Sequence, residues 1–119
     1  ETVYADLAEW PIEPQAWAGI VSIFCHMMPD ERRHMHPRIV KGLKPGGVFL
    51  LEAYTPDQID KGTGGPSNPD LLVTAKDIIP EIDGLQVQLA HNIERDVIEG
   101  ISHTGRASVT QIIATLLEN

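Results

Sequence analysis

Two stretches of the chain are apolar almost without interruption: Gly19-Ile20-Val21-Ser22-Ile23-Phe24-Cys25 and Val48-Phe49-Leu50-Leu51-Glu52-Ala53-Tyr54. Short apolar runs rich in β-branched residues suit strands buried on both faces, as in a parallel sheet. Between them, Pro29-Asp30-Glu31 opens a helix, with Asp30 the expected N-cap and acids at the positive end of the dipole. Pro37 is expected to interrupt that helix, leaving a short first turn and a second helix over residues 37–43. Lys44-Pro45-Gly46-Gly47 then ends it. Upstream, residues 2–5 read as the end of a strand. Trp10-Pro11-Ile12-Glu13-Pro14 reads as a loop, because two prolines so close break regular pairing.

The second half has a different rhythm. Residues 55–69 hold three glycines and three prolines and form the longest irregular stretch. A loop of that length in a compact domain is usually functional or disordered. Thr74 can cap a helix running to Ile82, distorted at Pro80 and stopped by Gly84. Leu85, Val87, Leu89, Ile93 and Val97 then fall on alternate positions, the period of a long strand. Residues 99–105 make a turn, and residues 106–117 a second strand that pairs with the first as an antiparallel hairpin. Strands alternating with helices imply an α/β domain with a parallel sheet, here with an antiparallel hairpin at its end.

Composition narrows the class. The chain has 119 residues and is 42% hydrophobic, enough for one domain with a real core. No apolar run reaches the roughly 18–20 residues of a membrane span. The net charge of −8 argues against a nucleic-acid groove on these 119 residues, which would need clustered Lys and Arg, and leaves nucleic acid open for a longer parent protein. A single cysteine, Cys25, cannot form an internal disulfide, and a reducing cytoplasm is the expected location. The chain opens Glu1-Thr2-Val3 without a methionine or a signal peptide, so a trimmed or truncated product is expected.

The local wording resembles a known family. Asp6-Leu7, the strand with its following turn over Ile20-Val21-Ser22-Ile23-Phe24-Cys25-His26, and above all Leu43-Lys44-Pro45-Gly46-Gly47-Val48-Phe49-Leu50-Leu51-Glu52 resemble the class I S-adenosylmethionine-dependent methyltransferases. The combination of Glu52-Ala53-Tyr54-Thr55-Pro56-Asp57-Gln58, Thr63-Gly64-Gly65-Pro66, Glu94-Arg95, Glu99-Gly100, His103 and Gly105 is similar to a narrower group, the small bacterial, tellurite-resistance-like methyltransferases. The resemblance covers nearly the whole chain. It implies a partial Rossmann-like fold, the C-terminal part of a single methyltransferase domain over residues 1–119. The first strands and the glycine-rich loop of that fold have no counterpart in these residues. Gly64-Gly65-Pro66 follows no buried strand and opens no helix, so it cannot stand in for that loop.

The resemblance also assigns roles. S-adenosylmethionine is the implied cofactor. Asp6 would accept a hydrogen bond from the adenine amino group while the backbone N–H of Leu7 meets a ring nitrogen. Phe24 and Cys25 lie where ligands bind in open α/β sheets, beyond the carboxyl ends of the strands, and would face the methionine portion. His103 and His26 are the candidate catalytic bases, since an imidazole with a pKa of ~6.5 shuttles protons near neutrality. Tyr54 and Arg95 would frame the acceptor pocket, with Gly64 and Gly65 in a loop closing over it. Arg95 can equally serve as half of a structural ion pair, and the Leu-Lys-Pro-Gly-Gly turn is read as a connector. The family often carries an acid where this chain has Ala18, which bears on a surface contact. Cys25, His26, His34 and His36 are near in sequence but lack any zinc spacing, so no metal is expected.

Three functions compete at this point. The first is methyl transfer to a small-molecule acceptor by the complete parent protein, this chain alone being inactive. The second is a non-catalytic scaffold or dimerisation module that keeps the fold's C-terminal half. The third, a nicotinamide-dependent enzyme, is disfavoured by the terminal hairpin. With the fold's first strand missing from one side, residues 20–24 would present an open apolar edge there, for which a homodimer is the expected remedy.

Overall fold

The computed structural model describes residues 1–59, 61–98 and 104–118. Four strands form one sheet: β1 (Trp17–Ile23), β2 (Leu43–Tyr54), β3 (Gln86–Ile98) and β4 (Thr104–Thr115). Their order is β1-β2-β4-β3, with β1 parallel to β2 and β4 antiparallel to both of its neighbours. The two apolar runs are therefore adjacent parallel strands, and the alternating pattern after Gly84 is half of an antiparallel hairpin, as the sequence implied.

Helix α1 (Pro29–Gly42) crosses from β1 to β2, and a short helix α2 (Ala75–Ile78) continues as a 3-10 turn over Ile79–Ile82. Both pack on one face of the sheet. Met35 and Ile39 of α1, Ile78, and Ile82 meet Phe49, Leu51 and Ala53 of β2 and Ile112 and Ala114 of β4 in the main core. A buried polar clamp ties the helical elements together. Arg32 donates through Nε to both oxygens of Glu81 at 3.0 and 2.8 Å, and His36 Nδ1 lies 2.7 Å from Glu81 Oε1.

The opposite face of the sheet is covered at one end, where Tyr54, Leu72, Val97, Ala107 and Val109 form a second buried cluster, and open at the other. Val21 is 66% and Ile23 44% exposed, and Ile23, Leu50, Leu89 and Ile113 line a shallow apolar groove of about 230 Å³. Among the described residues nothing pairs with the outer edge of β1.

Three expectations are corrected. Residues 2–5 are not a strand; the segment to Trp10 instead turns at Asp6. Helix α1 runs unbroken through Pro37. A proline costs a helix one hydrogen bond to the carbonyl four residues earlier, and here Pro37 and Arg33 are both exposed, so water can take over that carbonyl. The N-cap is Met28, not Asp30: Pro29 takes the first helical position, and the Met28 N–H donates to Glu31 Oε1 at 3.1 Å. The Thr74 cap, by contrast, is present, with Thr74 N–H donating to Asp77 Oδ2 at 2.8 Å. The helix changes to a 3-10 turn next to Pro80.

The Leu43-Lys44-Pro45-Gly46-Gly47 stretch directly follows α1 and forms the irregular first part of β2, where the register with β1 shifts, and it is stitched to the residue that follows β4. Gly46 N–H donates to Leu116 O at 2.6 Å, and Leu116 N–H to Gly47 O at 2.9 Å. A side chain at Gly47 would come within 2.8 Å of the Lys44 carbonyl and 3.2 Å of the Ala18 carbonyl, so only glycine lets β1 and this part of β2 approach so closely.

Candidate functional site

The two parallel strands end side by side, and aromatic rings gather at their carboxyl ends. Phe24 leaves β1 with φ +50°, a conformation uncommon outside glycine, while its N–H still donates to Glu52 O at 2.8 Å. Its ring stacks on Tyr54, the last residue of β2, with centroids 4.6 Å apart and planes at 13°. His26 stacks on Tyr54 at 5.5 Å and 15°, and lies 6.5 Å from Phe24 at 27°. Three sequence candidates thus form one cluster of nearly parallel rings. Tyr54 is fully buried. A left-handed residue at the end of a strand is a local strain that tertiary packing must hold, and the stack supplies that packing.

The loop after Tyr54 folds back against these rings. Thr55 caps a 3-10 turn (Pro56–Gln58), and its hydroxyl lies 2.6 Å from Ser108 Oγ on β4. The buried Gln58 amide is the fastener. Its Nε2 donates to Thr63 Oγ1 at 2.8 Å and Gly64 O at 2.9 Å, and its Oε1 accepts from Ser108 N–H at 2.9 Å. Gly65 is thereby laid on Tyr54: at φ +86°, a Cβ there would sit 2.9 Å from Tyr54 Cδ2. The structure therefore places Gly64 and Gly65 with Tyr54. Thr55 and Gln58 stand within the stretch that carries the resemblance but were given no role there, and Ser108 was not singled out from the sequence. Residues 55–69 were read only as an irregular stretch, and a polar loop residue such as Gln58 gives no sign that it is buried.

Arg95 sits on β3 and reaches Glu52 on β2 with two hydrogen bonds, Nε to Oε2 at 2.8 Å and Nη2 to Oε1 at 2.5 Å. Gln111 Nε2 donates to Glu52 Oε2 at 2.7 Å, and Gln111 Oε1 lies 2.8 Å from His91 Nε2. Glu52, Gln111 and His91 are register partners across three strands, so their side chains form one row on the open face. Burial pushes the Glu52 carboxyl up, but hydrogen bonds from Arg95 and Gln111 and the Arg95 charge outweigh it, and the net shift is downward. Arg95 is thus half of an ion pair at the edge of the site.

Asp6 and Leu7 lie on a separate turn beside β1 and α1. The Asp6 carbonyl accepts from Glu9 N–H at 3.0 Å and Trp10 N–H at 2.8 Å, and Asp6 Oδ1 from Ala8 N–H at 2.9 Å. Leu7 forms the rim of a groove of about 270 Å³ whose walls include Ile20, Ile23, Cys25, Met35 and Ile39. Cys25 turns towards the main core, away from the role of a reactive thiol: burial pushes its pKa up against a weaker hydrogen bond with Ser22. His103 lies outside the described residues, as do Glu99 and Gly100. Among the described residues, no group of three or more His, Cys, Asp or Glu is placed to hold a metal ion.

No protein-family model matches the chain, and no curated protein matches it in sequence. Solved structures do match. A SAM-dependent methyltransferase from Methanosarcina mazei aligns with 97% of this chain and 66% of its own, at TM-score 0.66 and 13% identity. TehB from Haemophilus influenzae aligns with 95% of this chain and 40% of its own, at TM-score 0.70 and 9% identity. The 16S rRNA (adenine(1408)-N(1))-methyltransferase from Catenulisporales acidiphilia, crystallised with cosubstrate SAM, aligns with 96% of this chain and 60% of its own, at TM-score 0.67 and 10% identity. The fold is that of the class I SAM-dependent methyltransferases, in part: the chain spans less than two thirds of the length of each of these three structures.

Proposed function

We propose that residues 1–119 are the C-terminal part of a single methyltransferase domain whose complete protein transfers a methyl group from S-adenosylmethionine to a small-molecule acceptor. The observation that carries this reading is the sheet. Two parallel strands deliver Phe24, His26 and Tyr54 to their carboxyl ends, and an antiparallel terminal hairpin braces them. Ligands in open α/β sheets bind at that end of the strands. The net charge of −8 favours a small acceptor over a polyanion. The single cysteine, Cys25, fits a reducing compartment, and the cytoplasm is the location this reading proposes.

The residues present fit the donor. Asp6 offers a carboxylate acceptor and Leu7 a backbone donor on the rim of an apolar groove, the pair of groups that reads an adenine edge. Phe24 and Cys25 would line the methionine portion through their backbone. When bound, the donor supplies an electrophilic methyl group on a sulfonium. The chain's own residues position the acceptor for in-line displacement and keep water out. Tyr54 and the Gly64-Gly65 loop build that wall, and Arg95 holds Glu52 at its edge. His26, stacked on Tyr54, receives the proton that the acceptor loses, with His103 as the alternative base.

A second reading, a non-catalytic dimerisation module, draws on the open edge of β1 and the 66% exposure of Val21. Calorimetry separates the two. A longer form of the protein carrying a glycine-rich turn should bind S-adenosylmethionine, whereas the 119-residue chain should bind it only weakly, short of micromolar affinity. No binding by the longer form would overturn the methyltransferase reading.

A further inference from the structure

We infer that Arg38 is a positioning residue for the adenine edge, holding the Asp6–Leu7 turn against α1. The inference rests on the methyl-donor reading above. Arg38 lies in the second half of α1, and its guanidinium gathers backbone carbonyls from a segment about thirty residues earlier. Nη2 donates to Leu7 O and Ala8 O, each at 3.2 Å, and Nη1 donates to Trp10 O. Nε donates to His34 O, one helical turn back, at 3.3 Å. Three carbonyls of one short turn thus point at a single cation.

That capture has a consequence for the groups left over. The amides of Ala8, Glu9 and Trp10 are used by Asp6, and the carbonyls of Leu7, Ala8 and Trp10 by Arg38. The Leu7 N–H and Asp6 Oδ2 have no protein partner among the described residues. They are the donor and the acceptor, respectively, that an adenine edge requires. The turn itself is mostly exposed, with only Ala8 packed against the core, so few apolar contacts fix its direction. Without Arg38, three converging carbonyl dipoles repel one another. A lysine would restore the charge but not the planar fork that meets several oxygens at once.

The test uses the ¹⁵N-labelled chain, adenosine as the probe and inosine, which lacks the amino group, as its control. In Arg38→Lys, the Glu9 and Trp10 amides should exchange with solvent about tenfold faster while the amides of β2 and β4 keep their protection. The same variant should weaken the adenosine-dependent shift of the Leu7 amide by about fivefold, the equivalent of one ordinary hydrogen bond. In Arg38→Ala, low concentrations of guanidinium ion should restore both. Unchanged exchange at Glu9 and Trp10 would overturn the positioning role whatever adenosine does. Faster exchange with unaltered adenosine affinity would overturn it too, by uncoupling the turn from the ligand. Faster exchange with no adenosine response in the unsubstituted chain, or an equal response to inosine, would locate the failure in the donor-site reading and take the inference with it.

Discussion

Arg95 on β3 and Glu52 on β2 are joined by two hydrogen bonds, at 2.8 and 2.5 Å, across the intervening strand β4. The pair spans the junction between the parallel half of the sheet and the terminal hairpin. Gln111 on β4 donates to the same carboxylate, so all three strands meet at Glu52. Because Glu52 lies two residues before Tyr54, this contact also sets the register of the ring cluster against the hairpin.

Breaking that junction should be costly and pH-dependent. Arg95→Gln removes charge-assisted bonds from a largely buried carboxylate and should cost about 2 kcal/mol at neutral pH in urea unfolding. The folded pKa of Glu52 lies below its unfolded value. Its contribution is therefore fully present above the ordinary carboxylate range of ~4.3 and is lost as pH falls through the folded pKa. Glu52→Gln should flatten the acid side of the stability profile. An acid limb identical in both proteins would exclude Glu52 as its source.

Two glycines in one loop should respond differently to alanine. Gly62 has φ +70° and no atom within 4 Å of where its Cβ would stand, so Gly62→Ala carries only the left-handed penalty, about 1 kcal/mol. Gly65→Ala adds a clash with Tyr54 at 2.9 Å and with Gln58 at 3.2 Å, and should cost about 1–3 kcal/mol more. Equal melting temperatures for the two variants would mean that the loop does not lie on the ring.

Asp6→Ala tests the donor edge in the complete protein. Loss of one hydrogen-bond partner should weaken S-adenosylmethionine by about 1–3 kcal/mol in calorimetry. An unaltered affinity would make Asp6 only the residue that closes its own turn through Ala8.

The edge of β1 makes a prediction about assembly. Trp17–Ile23 contains no charge and no proline, the two devices that normally keep an open edge from pairing. The 119-residue chain should therefore dimerise edge to edge, and Val21→Pro should return it to a monomer. Light scattering showing a 13.1 kDa species at high concentration would remove the dimer.

The apolar runs, the alternating hairpin, the Thr74 cap and the Leu43-Lys44-Pro45-Gly46-Gly47 turn were legible in the sequence because each is specified by neighbours a few residues apart. Periodicity and turn chemistry are local. The resemblance raised Phe24, His26 and Tyr54 as candidates, yet only the pairing of β1 with β2 brought their rings together. The continuity of α1 through Pro37 depended on which face of the helix meets solvent, and a local rule cannot see that face. Glu52 and Arg95 are 43 residues apart, Gln58 and Ser108 are 50, and Arg38 and Leu7 are 31. A polar side chain's partner at such separation is chosen by the sheet register and the helix placement together. The amino acids supplied the donors and acceptors; tertiary packing decided which of them meet, because hydrogen bonds form only between groups that the fold first brings within about 3 Å.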